Sequence, residues 1–159
     1  MITLRKVTDS DVNYFSIWWR DSDLIGLTSG DFGVLDDKTV TSYFKSLISS
    51  ASNLHNMILL DGKPIGHISL QHTSDNWWEL QIIIADPSAR GRGYGPEAIT
   101  RLLDITSRQS LVNIFLNVRP DNTRAVQAYE KVGFYKVGDV FETANGNLPS
   151  LIRMELSLD

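Results

Sequence analysis

The chain has no cysteine. That excludes a disulfide framework, a thiolate nucleophile and thiolate metal ligands, and it fits a reducing compartment. Long apolar runs are also missing: none approaches the roughly 20 residues that cross a bilayer as a helix. Residues 1–9 lack the apolar core of a secretory signal, so the expected setting is cytoplasmic, with no membrane partner. Positive charge is in deficit. Fifteen Lys and Arg stand against 19 Asp and Glu, for a net charge of −4, which argues against nucleic-acid binding and favours a cationic or neutral partner. Histidine is scarce. His67 and His72, five apart on one expected strand, face opposite sides, and His55 stands alone. No metal site is expected, and each histidine reads as structural. No repeat, linker or low-complexity segment breaks the 159 residues, which suit one domain over residues 1–159 that buries about two-thirds of its unfolded surface.

What is present centres on residues 82–99. Ile82, Ile83 and Ile84 suit a strand buried on both faces. Asp86-Pro87 ends it, because proline has no N–H for the ladder and restricts the residue before it. Arg90-Gly91-Arg92-Gly93-Tyr94-Gly95 follows, and Pro96 suits the first turn of a helix. Glycines let backbone approach a ligand, free N–H groups at a helix start carry partial positive charge, and two arginines add cations. Together they suit a phosphate; a strand-to-helix turn without a ligand has the same local pattern. Neither the spacing of an ATP-binding P-loop nor the Gly-x-Gly-x-x-Gly order of a dinucleotide fold is present.

The order Arg90-x-x-Gly93-x-Gly95 after an apolar strand resembles the acyl-CoA pyrophosphate loop of the GNAT superfamily of N-acyltransferases, Gln/Arg-x-x-Gly-x-Gly/Ala. Downstream, Asn122-x-x-Ala125-x-x-x-Tyr129-Glu130-Lys131-x-Gly133-Phe134 is similar to that family's second signature. The likeness is close over residues 62–140 and extends to the N-terminal third only in layout. It implies a mixed α/β (α+β) fold: a mostly antiparallel twisted sheet of about seven strands, four flanking helices, and splayed central strands that admit the cofactor. It implies acetyl-CoA as acyl donor, no metal, and Ile83, Ala85, Arg90, Gly91, Arg92, Gly93, Tyr94, Gly95, Asn122 and Ala125 as cofactor contacts. Tyr129 falls where the family's general acid lies; read from the chain alone it is a tyrosine on an amphipathic helix, and Asn122 a helix cap.

Glu79, eleven residues before Arg90, is similar in position to the glutamate base of the histone-acetylating branch. In the ribosomal-protein branch the glutamate falls one residue later, here Leu80. A one-residue offset changes strand face, and Gln81 is an alternative that holds a water. An amine acceptor with a pKa near 10.4 must lose a proton before it attacks a thioester. Backbone N–H groups near Ile83 and Ala85 are expected at the carbonyl oxygen, and Tyr129 at the leaving sulfur. The segment Gly93-Tyr94-Gly95-Pro96-Glu97-Ala98 is similar to that of the ribosomal-protein and small-amine branch, whose acceptors are protein N-termini, polyamines, amino sugars or aminoglycosides. A homodimer is compatible with the family. The alternative is a non-catalytic acyl-CoA-binding sensor or scaffold.

The remaining chain reads in order. Residues 2–7 alternate as a strand. Val12, Phe15, Trp18 and Trp19 follow at helical spacing; the two tryptophans are adjacent, so one of them is a candidate for an acceptor pocket. Residues 20–37 read as a long acidic loop, either solvated or an amine-binding wall, with Asp36 or Asp37 capping a helix through Val40, Tyr43, Phe44, Leu47 and Ile48. Strands at 54–60 and 64–72 flank an Asp61-Gly62 turn, and Ser74-Asp75-Asn76 is a second turn. After the helix from Pro96 come a strand at 111–118, a helix capped near Asn122 and stopped by Gly133, and an antiparallel pair, 134–140 and 151–156, across a turn at 145–147.

Overall fold

The computed structural model describes residues 1–26, 36–50, 54–74, 76–107, 113–138 and 151–158. Residues 27–35 of the expected acidic loop, Asp75, the start of the strand expected at 111–118, the end of the one expected at 134–140 and the turn at 145–147 lie outside them. Among the described residues seven strands form one sheet: β1 (Ile2–Lys6), β2 (Leu54–Leu60), β3 (Lys63–His72), β4 (Trp77–Ile84), β5 (Asn113–Val118), β6 (Tyr135–Gly138) and β7 (Ile152–Ser157). Their order is β1-β2-β3-β4-β5-β7-β6. Among the described residues the helices are α1 (Val12–Trp18), α2 (Ser22–Gly26), α3 (Asp37–Ser49), α4 (Tyr94–Thr106) and α5 (Thr123–Val132).

That is one helix more than expected. The addition, α2, lies in the stretch read as loop. The Asp21 carboxylate accepts from the Asp23 and Leu24 N–H groups at its start, and Leu24 is buried. Of the two cap candidates for α3, Asp36 is the one used, accepting from Thr39 N–H at 2.7 Å. Asp61 and Gly62 both take positive φ in the two-residue β2–β3 hairpin, as the primed turns that suit twisted hairpins require. Gly133, at φ 114°, stops α5.

One junction shapes the molecule. β4 and β5 are parallel and pair only from Trp77–Asn113 to Glu79–Phe115. Beyond Glu79 they diverge, so Ile82, Ile83 and Ile84 are only partly buried, where a strand covered on both faces was expected. The two sheet faces differ sharply. One carries Ile58, Ile68, Leu70, Leu80, Ile114, Leu116 and Met154, packed with Ala98, Ile99 and Leu102 of α4 and Val126 of α5. The other buries Met57 in a small cluster with Phe15 and Phe44, and Phe115 farther along the sheet. Between these two patches the face is polar, with His55, His67, Ser69, Gln71, Glu79, Gln81 and Asn117.

Gly66 is required by close approach. A Cβ there would sit 2.0 Å from the Ile83 carbonyl oxygen across the β3–β4 ladder, and backbone on both sides gives it nowhere to go. Gly66→Ala is expected to lower stability by about 1–3 kcal/mol, read as a lower urea midpoint. Gly138→Ala, where a Cβ meets nothing within 4 Å, is the control; equal midpoints for the two variants would remove the steric argument.

Candidate functional site: a cavity in the gap between two strands

The divergence of β4 and β5 opens a cavity of about 840 Å³. Along one end run Gly91, Gly93, Tyr94 and Gly95, with Asn122, Ala125 and Tyr129 from the α5 side. At the other lie the polar sheet face, His55, His67, Gln71, Glu79 and Gln81, and an apolar wall that includes Trp19, Leu24 and Tyr43. Ile83 and Arg90 also line it, whereas Ala85 and Arg92 do not. Arg92 instead lines a shallow depression of about 210 Å³ with Lys63, Asp86 and Ser88.

The glycine loop has the shape of a cradle. Gly93 precedes α4 with φ 84°, a left-handed conformation that favours glycine. A Cβ built at Gly93 or Gly95 would touch nothing within 4 Å, yet both glycines line the cavity. The protein does not fill that space, and it lies in front of the N–H groups that begin α4, where an anion is favoured. Arg90 has a structural duty here. Its Nε donates to Ile84 O at 2.9 Å and its Nη2 to Ala85 O at 2.8 Å, so the guanidinium ties the loop to the end of β4. The cation facing the glycines is Arg124, whose guanidinium lies against Gly91. The sequence reading missed it, together with the cavity-lining Arg119 and Lys131. A cation two residues after the Asn122 cap was the available signal.

The backbone donors expected at Ile83 and Ala85 need correction. Ala85 N–H already donates to Ile65 O on β3 at 2.7 Å, and at the other end of the ladder Thr73 N–H donates to Trp77 O. The register between those ends runs without a shift. Strand backbone alternates sides residue by residue, so Ile83 also turns its N–H to β3. The N–H groups that face the gap belong to Ile82 and Ile84.

Glu79 and Gln81 share the polar face, and Leu80 points into the core at 4% exposure, so the offset position offers no base. Burial pushes the Glu79 carboxyl up from its usual range, partly offset by Gln81 and the Arg153 guanidinium. Burial also pushes the Tyr129 hydroxyl up to about 12. Its ring packs edge-on against Phe134, centroids 6.1 Å apart. Asn122 accepts from Ala125 N–H at 3.3 Å; its amide N–H groups remain for the cavity it lines.

His55 is not alone. The β2–β3 register pairs Met57 with His67, which sets His55 diagonally beside His67, Nδ1 to Nε2 at 3.1 Å. Burial, and then the neighbouring His55, push His67 down to about 3. Three polar atoms, His55 Nε2, Ser69 Oγ and Asn117 Oδ1, are buried without a partner among the described residues, and the strand registers put all three on this face. Trp19 lines the cavity, with its ring 4.9 Å from that of Tyr43, while Trp18 packs on Phe15 and Tyr14. Among the described residues no three His, Asp or Glu side chains gather as a metal site, and no helix is long and apolar enough to cross a membrane.

Comparison with known proteins agrees with this architecture. An aminoglycoside N(6')-acetyltransferase type 1 of Klebsiella pneumoniae is 26% identical over 154 residues, covering 87% of this chain and 76% of its own. The solved spermidine N-acetyltransferase of Vibrio cholerae, in complex with CoA and spermine, superposes with a TM-score of 0.85 at 23% identity, over 98% of this chain and 95% of its own. The aminoglycoside acetyltransferase AAC(6')-Ib, in complex with ribostamycin and CoA, gives 0.84 at 21% identity, over 99% and 93%. The model of the acetyltransferase (GNAT) domain matches residues 1–135, and the chain belongs to that family.

Proposed function

We propose that this protein transfers an acetyl group from acetyl-CoA to a primary amine by direct attack in a ternary complex. One observation carries the reading: a single cavity holds an anion cradle at one end, a half-buried carboxyl at the other, and a phenol that keeps its proton between the two walls. Acetyl-CoA supplies the acyl group as a thioester. The N–H groups at the start of α4 and the Arg124 guanidinium hold its pyrophosphate, and the Asn122 amide meets the pantetheine arm. The Ile82 and Ile84 N–H groups face the position where negative charge develops on the carbonyl oxygen. Glu79 takes the proton of the incoming ammonium, directly or through a water beside Gln81. Tyr129 donates to the departing sulfur. The test is release of free CoA thiol on mixing the protein, acetyl-CoA and a panel of primary amines. Acetyl-CoA binding without thiol release from any of them would leave a binding module instead.

The role of Glu79 has its own readout. The base must be ionised, so activity falls as pH drops through its pKa, and burial places that limb above the ordinary carboxylate range. Glu79→Gln is expected to lower kcat/KM by about 100-fold at neutral pH and to abolish the limb. A variant that keeps the limb in its pH–rate profile would assign the proton acceptor elsewhere.

A further inference from the structure

The proposed base must be ionised to work, and a cation stands near it on the same sheet face. The geometry points to Arg153 of β7 as a positioning residue that holds positive charge beside the Glu79 carboxylate, with Glu155 as the counter-ion that limits how much of it Glu79 receives. This rests on the N-acetyltransferase reading above and adds the pair that sets the state of its base.

Strand register builds the arrangement. Glu79 lies opposite Phe115, and Phe115 opposite Glu155, so the three form one row across β4, β5 and β7. Trp77 and Arg153 each sit two residues before a member of that row and share its face. The Arg153 guanidinium carbon lies 3.8 Å from the centre of the Phe115 ring and 4.9 Å from that of Trp77. It therefore reaches across β5 to the two rings that flank Glu79, one on the next strand and one on its own. Those rings stand edge to face, 6.1 Å apart, and aromatic faces hold a planar cation through their quadrupoles. Arg153 Nε also donates to Glu155 Oε1 at 2.8 Å, which fixes the group from a third side. The Arg153 and Glu155 side chains are 26% and 16% exposed, so water screens their charges less than on an open surface. Burial pushes the Glu79 carboxyl up, and the Gln81 amide and the Arg153 charge oppose that push.

The other described titratable groups that face this end of the sheet are His67 on β3, His55 on β2 and Tyr135 on β6, with Tyr43 and Tyr129 across the cavity. Burial favours the uncharged form of both histidines and of Tyr43 and Tyr129. Each variant below changes the Arg153–Glu155 pair and leaves every other group on the chain in place.

The experiment titrates the protein by carbon-13 NMR with labelled glutamate carboxyls, the Glu79 signal being the one that Glu79→Gln lacks. Arg153→Met removes the cation and keeps an apolar stem over Phe115; the Glu79 midpoint is expected to move to higher pH by about half a unit or more. Glu155→Gln leaves the guanidinium uncompensated, and the midpoint is expected to move to lower pH. Loss of packing would not reverse sign between the two. The acid limb of kcat/KM, read with the amine from the panel above that releases CoA thiol fastest, follows the midpoint in each variant. Arg153→Met leaves Glu155 largely buried without this partner. If that variant does not fold, the double variant Arg153→Met with Glu155→Gln is compared with Glu155→Gln alone, and its midpoint is expected to be the higher. A midpoint that stays in place, or moves the same way in both single variants, would overturn the inference and leave the N-acetyltransferase reading standing. Opposed midpoints with an acid limb that survives Glu79→Gln would overturn the assignment of Glu79 as the base, and with it the part of Arg153 in the reaction.

Discussion

Tyr129→Phe is expected to lower kcat by about 10²–10⁴-fold while acetyl-CoA affinity stays within about twofold. The substitution removes one oxygen and keeps the ring on Phe134, so packing and the cofactor-lining surface survive. The lost group is a hydroxyl whose pKa burial holds near 12. At neutral pH it is a donor and never a phenolate, which suits a group that must meet a thiolate as the carbon–sulfur bond breaks. Thiols of the cysteine type have a pKa near 8.5, so the leaving group is not strongly basic. The contribution of Tyr129 is therefore a hydrogen bond that strengthens as charge appears on sulfur, with the second proton of the attacking amine relayed through the hydroxyl to the thiolate, so that CoA leaves as the thiol and Tyr129 ends the step as the phenol. Steady-state kinetics and calorimetry on the same preparation separate the two quantities. Unchanged turnover in Tyr129→Phe would exclude the residue as the acid.

Gly93→Glu is expected to abolish measurable acetyl-CoA binding, a loss of about 100-fold or more. Two effects act together. Any side chain at Gly93 enters the left-handed region, at about 1–2 kcal/mol, and this one projects a carboxylate into space that the protein leaves empty in front of α4. A phosphate bound there would meet both bulk and like charge. The helix itself tolerates the change, since an anion at its N-terminus is favourable, and thermal unfolding should confirm that the variant folds. Gly93→Ala separates the terms: it carries the backbone cost and a methyl group without charge, and it should bind more tightly than the glutamate variant. Undiminished binding in Gly93→Glu would move the pyrophosphate elsewhere, with the depression beside Lys63 and Arg92 as the next place to look.

Much of the site was legible before the fold. Arg90, Gly93 and Gly95 sit in one turn, and Asn122, Ala125 and Tyr129 sit in another, because each group is local: a loop leading into a helix, and a helix with its cap. Such features are written over a few residues, where turn chemistry and the helix period decide. Tyr129 could be singled out only through its resemblance to a known signature, since its spacing alone fits packing equally well. Glu79 was legible as a residue but not as a face; that Leu80 enters the core and Glu79 the cavity followed from the observed register.

The remaining features came from pairing across distance. His55 meets His67 because β2 lies antiparallel to β3 with Met57 opposite His67. Arg124 faces Gly91 because α5 ends up beside the glycine loop. Gly66 is forced by one carbonyl on the next strand, and Ala85 is excluded as an open donor by one hydrogen bond to Ile65. By itself the sequence determined the order of the strands and of every described helix but α2, the glycine–arginine loop between β4 and α4, the resemblance to the acetyltransferase signatures and the absence of cysteine. Those depend on composition and on spacings shorter than a helix. The tertiary structure alone decided which backbone donors face the gap, which cation lies against the glycine loop and which side chains share the cavity with Glu79. These depend on strand register and on the side each residue turns to its neighbour, and a one-residue shift in pairing, which short-range pattern does not encode, would reverse every one of those sides.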